Sequence, residues 1–310
     1  MSKTSIRNAL TPDALGLLDA VHRAGSMAAA ARELGVVPSA LTYRARQLED
    51  ALDVLLFDRS SRRAALTAAG RELLREGGRL LLELDAIANR VKRVATGWEP
   101  QLTLAIDSII SRSTVMELCS AFFELEPPTR LKIKEEALSG TLQALTSGQA
   151  DLAIGVVLEP LSDNALCSKP LGSIKFVYAV APHHPLASAT RPITDTMMLA
   201  HRAVAVADSV QRGAGISVGL LGGQNVFTVP GMLAKLDAQL RGLGAGFLPD
   251  YLARPYVQTG QLIEKQVVRR ARIVRPSYAW RNTPGGPGRA LVWWLQQLEK
   301  PKTRQALVER

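Results

Sequence analysis

The stretch from Ser26 to Asp50, SMAAAARELGVVPSALTYRARQLED, predicts two short helices joined by a tight turn. Its alanine-rich first half favours a helix that Gly35 ends. Pro38 suits the first turn of the second helix, because that position needs no backbone N–H donor. The link between the two is too short for antiparallel packing, so the helices should cross steeply, as in a helix-turn-helix.

The flanking segments predict a winged version of this motif. Upstream, Thr11-Pro12-Asp13 is a helix start, and Gly25 ends that helix just before Ser26 begins the next one. Downstream, two short strand-like runs, Val54 to Asp58 and Ala64 to Leu66, surround a basic segment. The expected hairpin carries Arg59, Arg62 and Arg63 at its tip.

A long helix is expected next, from about Ala68 to Ala95, with Thr67 as its cap. Its apolar residues follow the three-and-four spacing of a coiled-coil seam: Leu73, Leu80, Leu84, Ile87, Val91 and Val94. The seam predicts pairing with a second helix, and packing on the chain's own second domain is the alternative. Gly77-Gly78 departs from the seam and should weaken the first turns.

After Thr96 to Pro100 the pattern changes to alternating strands and helices, which predicts an α/β domain with mainly parallel sheet, large enough for two lobes. The expected strands are Leu102 to Ile106, Leu131 to Ile133, Asp151 to Val157, Phe176 to Ala181, Ala203 to Ala207 and Ala245 to Leu248. The expected helices are Thr114 to Glu124, Gly140 to Ser147 and Met232 to Arg241.

The composition fits an ordinary globular protein with a polyanionic partner. The 310 residues include 38 Lys and Arg against 28 Asp and Glu, a formal charge of +10. Cys119 and Cys167 lie far apart without a zinc or disulfide pattern, so both are expected to be buried thiols in a reducing compartment. No signal peptide or membrane-spanning stretch is recognisable, and we therefore expect a cytoplasmic protein.

Three enzyme-like motifs fail on their context. The segment Gly215 to Gly219 matches a hydrolase nucleophile elbow around Ser217, but all four histidines precede it in the chain. Gly242 to Gly246 resembles a dinucleotide-binding loop, but it follows a helix and precedes a strand, which is the reverse of the order in that motif. It is therefore expected to be a helix end. His183-His184 lacks zinc-ligand spacing. No catalytic residue, metal or cofactor is therefore expected.

Five N-terminal blocks together resemble the LysR-type transcriptional regulators. They are Ala28 to Leu34, Pro38 to Thr42, Arg46 to Glu49, Leu56 to Arg59 and Leu66 to Gly70, in the family's order and spacing. Weaker matches follow in the family's order at Gly148 to Ile154, His184 to Ala187 and Gly242 to Pro249. The resemblance covers essentially the whole chain.

The resemblance implies three parts. These are a winged helix-turn-helix DNA-binding domain at residues 1–66, a dimerising linker helix at 67–97 and a two-lobed effector domain at 98–310, like periplasmic binding proteins. Lobe I would comprise about 101–175 and 276–300, and lobe II about 176–275. The expected partners are promoter or operator DNA, a small-molecule effector, and a second copy through the linker helix, with a homotetramer as the usual assembly.

The implied sites can be placed on this chain residue by residue. DNA would contact Ser26, Pro38, Ser39, Thr42, Tyr43, Arg44, Arg46, Arg59, Arg62 and Arg63. The effector cleft would be lined by Asp107, Ser108, Ile109, Leu138, Ser139, Val156, Asp208, Ser209, Val229, Pro230 and Gly231. The dimer would use Leu80, Leu84, Ile87, Val91 and Val94.

Two departures from the family pattern affect these expectations. Val37-Pro38 stands where the family usually has Ser-Gln, so a capping hydroxyl and one base-reading amide are missing. Asp107 places an acid beside the expected ligand-facing Ser108, which favours a neutral or amine-bearing effector. The alternatives are a small-molecule binding protein without specific DNA readout and, third, an enzyme that uses the cleft.

Overall fold

The computed structural model describes residues 6–58, 65–157, 166–210, 218–270, 272–282 and 285–309. Two compact units divide the chain, residues 1–88 and 89–310. The Arg59, Arg62 and Arg63 expected in the wing lie outside the described residues, as does Ser217. None of the described helices combines the length and apolar character that crossing a bilayer requires.

The first unit contains four helices, a small hairpin and the start of a long helix. Its elements are α1 (Ile6–Ala9), α2 (Pro12–Ala24), α3 (Met27–Glu33), α4 (Pro38–Leu52), β1 (Phe57–Asp58), β2 (Ala65–Leu66) and α5 (Ala68–Thr96), which continues into the second unit. The strands β1 and β2 pair antiparallel. The predicted helix-turn-helix and its hairpin are confirmed.

The predicted helix starts are also confirmed in atomic detail. Thr11 Oγ1 accepts a hydrogen bond from the Ala14 N–H at 3.2 Å, and Ser26 Oγ accepts one from the Ala29 N–H at 3.2 Å. Gly25 ends α2 with φ of 69°, a left-handed conformation that glycine adopts without strain. The boundary between α2 and α3 is therefore set by local chemistry alone.

A buried carboxylate joins α4 to the hairpin. Glu49 is 5 % exposed, and its Oε1 accepts hydrogen bonds from the backbone N–H groups of Leu56, at 2.8 Å, and Phe57, at 3.2 Å. These two bonds give the buried carboxyl oxygen its hydrogen-bond partners. They fix the angle at which the hairpin leaves α4.

Two glycines allow α5 to pack closely on this unit. Thr67 caps the helix as predicted, since its Oγ1 accepts the Gly70 N–H at 3.0 Å. A Cβ at Gly70 would lie 2.2 Å from the Leu56 carbonyl oxygen, and one at Gly77 would lie 2.7 Å from Leu15 Cδ2. The sequence predicted Gly77 only as a weak point, whereas the structure shows that it makes room for a core leucine.

The second unit alternates strands and helices, as predicted. In chain order they are β3 (Gln101–Asp107), α6 (Arg112–Phe123), β4 (Arg130–Glu136), α7 (Ser139–Thr146), β5 (Leu152–Val156), β6 (Leu166–Pro170), β7 (Ile174–Val180), a 3-10 turn (Pro185–Ser188), α8 (Asp195–Leu199), β8 (Ala203–Val206), β9 (Val226–Val229), α9 (Met232–Leu240), β10 (Gly246–Pro249), α10 (Asp250–Gln258), β11 (Ile263–Lys265), β12 (Arg272–Val274), β13 (Ser277–Arg281), α11 (Arg289–Glu299) and α12 (Pro301–Glu309).

The strands form two main sheets, one in each lobe. The first has the order β4-β3-β5-β13-β6, and in the second β7 pairs with β10, β11 and β12. A parallel pair, β8 and β9, adjoins the second sheet through a bridge between Ala203 and Ala245. The chain passes between the sheets twice, from β6 to β7 and from β12 to β13.

The expectation of mainly parallel sheet was wrong. The strand β3 runs parallel to β4 and β5, but β13 is antiparallel to both of its neighbours and β7 is antiparallel to all of its partners. Both strands adjoin a crossing between the lobes. They enter a sheet from the other lobe by a short link and not through a crossover helix, so a parallel direction is not imposed.

Several smaller expectations are settled by the same unit. Gly242, which follows the C-cap residue of α9, has φ of 68°, and a Cβ at Gly244 would lie 2.7 Å from the Arg202 oxygen. The predicted helix end with tight packing is confirmed. His184 Nδ1 accepts the Leu186 N–H at 3.2 Å and so caps the 3-10 turn. Cys119 is buried, but Cys167 is only half-buried, because β6 is an edge strand. Within the described ranges, no group of three potential metal-ligating side chains occurs.

Candidate functional sites

One face of α4 is free for contact with a partner. Its buried face consists of Leu41, Ala45, Leu48 and Glu49. At 3.6 residues per turn, the opposite face carries Ser39, Tyr43, Arg46 and Gln47, all exposed. The Gln47 Nε2 donates to the Tyr43 hydroxyl at 2.9 Å, and Tyr43 is 63 % exposed. Such a mixed polar and basic face suits the major groove.

The other predicted DNA contacts lie around this face. Thr42 is half-buried at its flank and donates its hydroxyl to the Pro38 oxygen at 2.9 Å, while Arg44 is exposed on the other flank. Ser26 uses its hydroxyl as a helix cap. Val37 offers no side-chain cap to α4, as its sequence implied. Gln47 was missed, although helical periodicity from Ser39 and Tyr43 would have indicated it.

The predicted seam of α5 is exposed from Leu80 onward, whereas Leu73, its first predicted member, packs against the core of the first unit. The exposed fractions are 48 % for Leu80, 38 % for Leu84, 45 % for Ile87, 66 % for Val91 and 85 % for Val94. Large apolar side chains aligned on one face of a 29-residue helix are typical of a helix-pairing surface.

In the second unit, the Asp107 carboxyl accepts hydrogen bonds from the protein itself. Its Oδ1 accepts the Ile109 N–H at 3.0 Å, and its Oδ2 accepts the Leu138 N–H at 3.0 Å and the Thr141 hydroxyl at 3.1 Å. The carboxyl group therefore ties the end of β3 to the start of α7. Leu138 has φ of 56°, a strained conformation for leucine that these bonds help to hold.

The burial of Asp107 predicts a pH dependence. Burial raises the pKa of this carboxyl to about 7, above the value of about 3.9 in an unfolded chain. The folded state then binds the proton more tightly, so its stability should fall as pH rises from about 4 to 7, by about 1.4 kcal/mol per unit of pKa difference. Asp107→Asn should lack this component, which urea unfolding across the same pH range measures. Parallel pH profiles for the two proteins would contradict the assignment.

Three predicted cleft residues contact the opposite lobe. The Ser139 hydroxyl donates to Asp208 Oδ1 at 2.7 Å, and the Ala137 N–H donates to Ser209 Oγ at 2.7 Å. Tyr251 on α10 adds a hydroxyl bond to the Ile109 oxygen at 2.9 Å. The structure thus brings Ser139, Asp208 and Ser209 together, but as links between the lobes.

Two cavities flank the loop from Asp107 to Ile109. The larger, about 600 Å³, lies between this loop, α6, β4 and α10, within the usual size range of ligand pockets. The buried hydroxyl of Ser108 lines it and has no hydrogen-bond partner among the described residues. A Cβ at Gly231 would lie 3.7 Å from Ser108 Cβ, so the backbone of lobe II comes close here.

The smaller cavity, about 70 Å³, lies on the other side of the loop. Asp107, Ile109 and Leu138 line it from lobe I, together with Val157. Lobe II contributes Phe176, Val206, Val218, Met232, Lys235, Phe247, Arg272 and Val274. The sequence missed Lys235 and Arg272. For Lys235 there was a signal, because it shares the buried face of α9 with Met232 and Leu236.

The remaining predicted cleft residues do not line either cavity. Val156 is buried within β5, and its neighbour Val157 reaches the smaller cavity instead. Val229 is buried at the end of β9, and Pro230 is exposed. Of the predicted cleft residues, Asp107, Ser108, Ile109 and Leu138 line a cavity, whereas Val229 and Pro230 of lobe II do not.

Comparison with known families decides the identity of both units. Residues 12–71 match the bacterial regulatory helix-turn-helix protein, lysR family, and residues 95–300 match the LysR substrate binding domain. The chain belongs to the LysR family of transcriptional regulators. As a LysR-family member, it is a DNA-binding regulator with an effector-binding domain.

Individual relatives agree with this LysR assignment. The chain is 37 % identical to the uncharacterized HTH-type transcriptional regulator YeeY of Escherichia coli K12, over 92 % of both chains. It is 35 % identical to the probable HTH-type transcriptional regulator YhaJ of the same strain, over 94 % of this chain and 97 % of that one.

Solved structures show the same fold. Full-length CbnR, solved in complex with its target DNA, aligns with a TM-score of 0.61 at 18 % identity, covering 92 % of this chain and 98 % of CbnR. LysG of Corynebacterium glutamicum, solved with its bound effector Arg, aligns with a TM-score of 0.51 at 22 % identity, covering 97 % and 100 %.

Proposed function

We propose that this LysR-family regulator reads its operator with the exposed face of α4, holds the DNA backbone with its wing arginines, pairs through α5 and senses its effector at the loop from Asp107 to Ile109. The observation that carries the proposal is the exposed face of Ser39, Tyr43, Arg46 and Gln47 on the second helix of a helix-turn-helix. The protein would act on DNA in the cytoplasm, as a homodimer or homotetramer.

The domain boundaries belong to the same proposal. DNA binding is assigned to residues 1–66, dimerisation to 67–97 and effector binding to 98–310, with the lobes divided at about 175 and 275. The curated relatives are transcriptional regulators, and this supports a role without catalysis, metal or cofactor. The bonds across the cleft, such as Ser139 to Asp208, give a route by which an effector could shift an existing equilibrium between lobe arrangements.

Substitutions on α4 test the DNA-binding proposal. With an operator selected from random DNA, Tyr43→Ala and Gln47→Ala should each lower affinity for the selected sequence by about 1–3 kcal/mol and relax specificity at one position. Arg46→Ala should weaken binding to all sequences and reduce the salt dependence, as expected for a phosphate contact. Fluorescence anisotropy against point variants of the operator measures both effects.

A matched control lies on another helix of the same unit. Arg75 on α5 forms exposed ion pairs with Glu72 and Glu76, so Arg75→Ala should change operator affinity by less than about 0.5 kcal/mol. If the α4 variants discriminate between sequences as well as the wild type does, the groove assignment is wrong. If the wild type selects no DNA sequence at all, the proposed function is replaced by the alternative, a small-molecule binding protein without specific DNA readout.

A further inference from the structure

Two basic side chains line the smaller cavity, and no counter-charge among the described residues is bonded to either of them. Lys235 on α9 is 7 % exposed, and Arg272 on β12 is half-buried. Within the described parts of the chain, neither side chain makes a hydrogen bond or ion pair to an acid. Burial and the positive charge of Arg272 lower the pKa of Lys235 to about 7. An unpaired charge in such a place is costly unless a ligand compensates it.

Rigid elements hold both cations in place. Lys235 lies on the buried face of α9, where its Cε would be 3.3 Å from a Cβ at Gly246. The Arg272 guanidinium carbon lies 5.2 Å from the ring centroid of Phe176 and 5.9 Å from that of Phe247. Cation–π contacts with two rings orient the guanidinium plane. The positive end of the cavity is therefore built before any ligand arrives.

The rest of the wall favours a small apolar body. Ile109, Leu138, Val206 and Met232 line the cavity alongside the two phenylalanines. Asp107 is the acid in the wall, and its oxygens already accept three hydrogen bonds from the protein. Asp107 therefore does not by itself disfavour an anionic effector, because its carboxyl is bonded within the protein and two basic side chains line the same cavity.

We propose that this cavity binds a small organic carboxylate, with the carboxylate between Lys235 Nζ and the Arg272 guanidinium and its apolar part against Ile109, Leu138 and Met232. Arginine binds carboxylates through paired, charge-assisted hydrogen bonds, and a lysine beside it adds a point charge. The volume of about 70 Å³ suits a compact acid. The proposal deepens the proposed function, on which it rests, by naming the chemical class of the effector.

Matched probes test the charge requirement. Full-length protein is titrated with acetate, 3-methylbutanoate and benzoate at constant ionic strength, by calorimetry and by thermal unfolding. The amide and the amine of the same carbon skeletons are titrated in parallel. We expect at least one of the carboxylates to bind and to raise the melting temperature, and the amides and amines to do neither. Inorganic phosphate serves as a second anion, and binding of phosphate alone would overturn the carboxylate assignment.

Two variants separate a ligand site from a structural role. Lys235→Met keeps the length of the side chain and removes its charge, so carboxylate affinity should fall about 10-fold or more. The same variant should melt at a higher temperature without ligand, because it removes an uncompensated buried charge, whereas a structural lysine would give the opposite sign. Lys175→Met, at an exposed position of β7, is the control and should change neither quantity.

Three results would overturn the proposal. They are the failure of every carboxylate to bind at millimolar concentration, equal binding of an amide and its acid, and unchanged carboxylate affinity in Lys235→Met. Operator selection on the same preparation separates this inference from the proposed function. Specific DNA binding without carboxylate binding rejects the inference alone, and the absence of specific DNA binding rejects the proposed function.

Discussion

Leu84→Glu combined with Ile87→Glu is expected to convert the protein from a dimer into a monomer and to lower its operator affinity by about 10²- to 10⁴-fold. Both side chains lie exposed at the centre of the α5 seam. Two glutamates there would bring like charges together at a helix interface that otherwise buries apolar area. A monomer binds one half-site and loses the effective concentration that links the second half-site to the first.

The control for this prediction places the same charge on another face of α5. A Cβ at Gly78 would meet nothing within 4 Å, and glutamate is a better helix former than glycine, so Gly78→Glu should leave the dimer intact. Sedimentation equilibrium gives the oligomeric state, and anisotropy on a two-half-site operator gives the affinity. A double variant that still sediments as the wild type does would show that α5 is not the pairing surface.

Gly70→Ala should destabilise the DNA-binding unit by about 3 kcal/mol or more. The added methyl group would lie 2.2 Å from the Leu56 carbonyl oxygen, which is a backbone atom and cannot rotate away. That oxygen also accepts the Thr67 N–H at 3.0 Å, so moving it disturbs the start of α5 and its cap. Overpacking against backbone costs about 1–3 kcal/mol, and occasionally more, because the chain itself must move.

A second glycine of the same unit, Gly16, provides the control for Gly70→Ala. Gly16 lies inside α2, and a Cβ there would meet no atom within 4 Å. Gly16→Ala should therefore stabilise the unit by about 0.5–1 kcal/mol through helix propensity. Urea unfolding of both full-length variants measures the two effects. Equal stability of the two variants would mean that α5 does not pack against Leu56 as described.

Local patterns explain why much of the fold could be predicted. Thr11, Ser26 and Gly25 act on their own helices, so their roles follow from neighbouring residues in sequence. The apolar spacing of α5 likewise reveals its seam without any knowledge of the partner. The sheet directions could not be read in this way, because β7 and β13 obtain their partners from distant parts of the chain.

In the candidate sites, too, features set by local sequence could be predicted and features set by distant contacts could not. The face of α4 follows from helical periodicity, whereas the predicted position of the cleft at the loop after β3 was implied by the family resemblance. The roles of Asp107 and Lys235 depend on contacts that span long stretches of sequence: Asp107 bonds to Leu138 and Thr141 across a chain separation of about thirty residues. The cavity partners of Lys235 come from both lobes. The sequence indicated Asp107 as an isolated acid, and it did not indicate Lys235 or the cavity that both residues share with Arg272.

Sequence-specific DNA binding is the central claim, and a fluorescence-anisotropy titration tests it most directly. The full-length protein is titrated against an operator selected from random DNA and against its scrambled sequence, at two salt concentrations. We predict a preference of at least about 10³-fold for the operator that persists at the higher salt concentration. Equal affinities for both DNAs that vanish together as salt rises would show that only the net charge of +10 binds DNA, and would contradict the account.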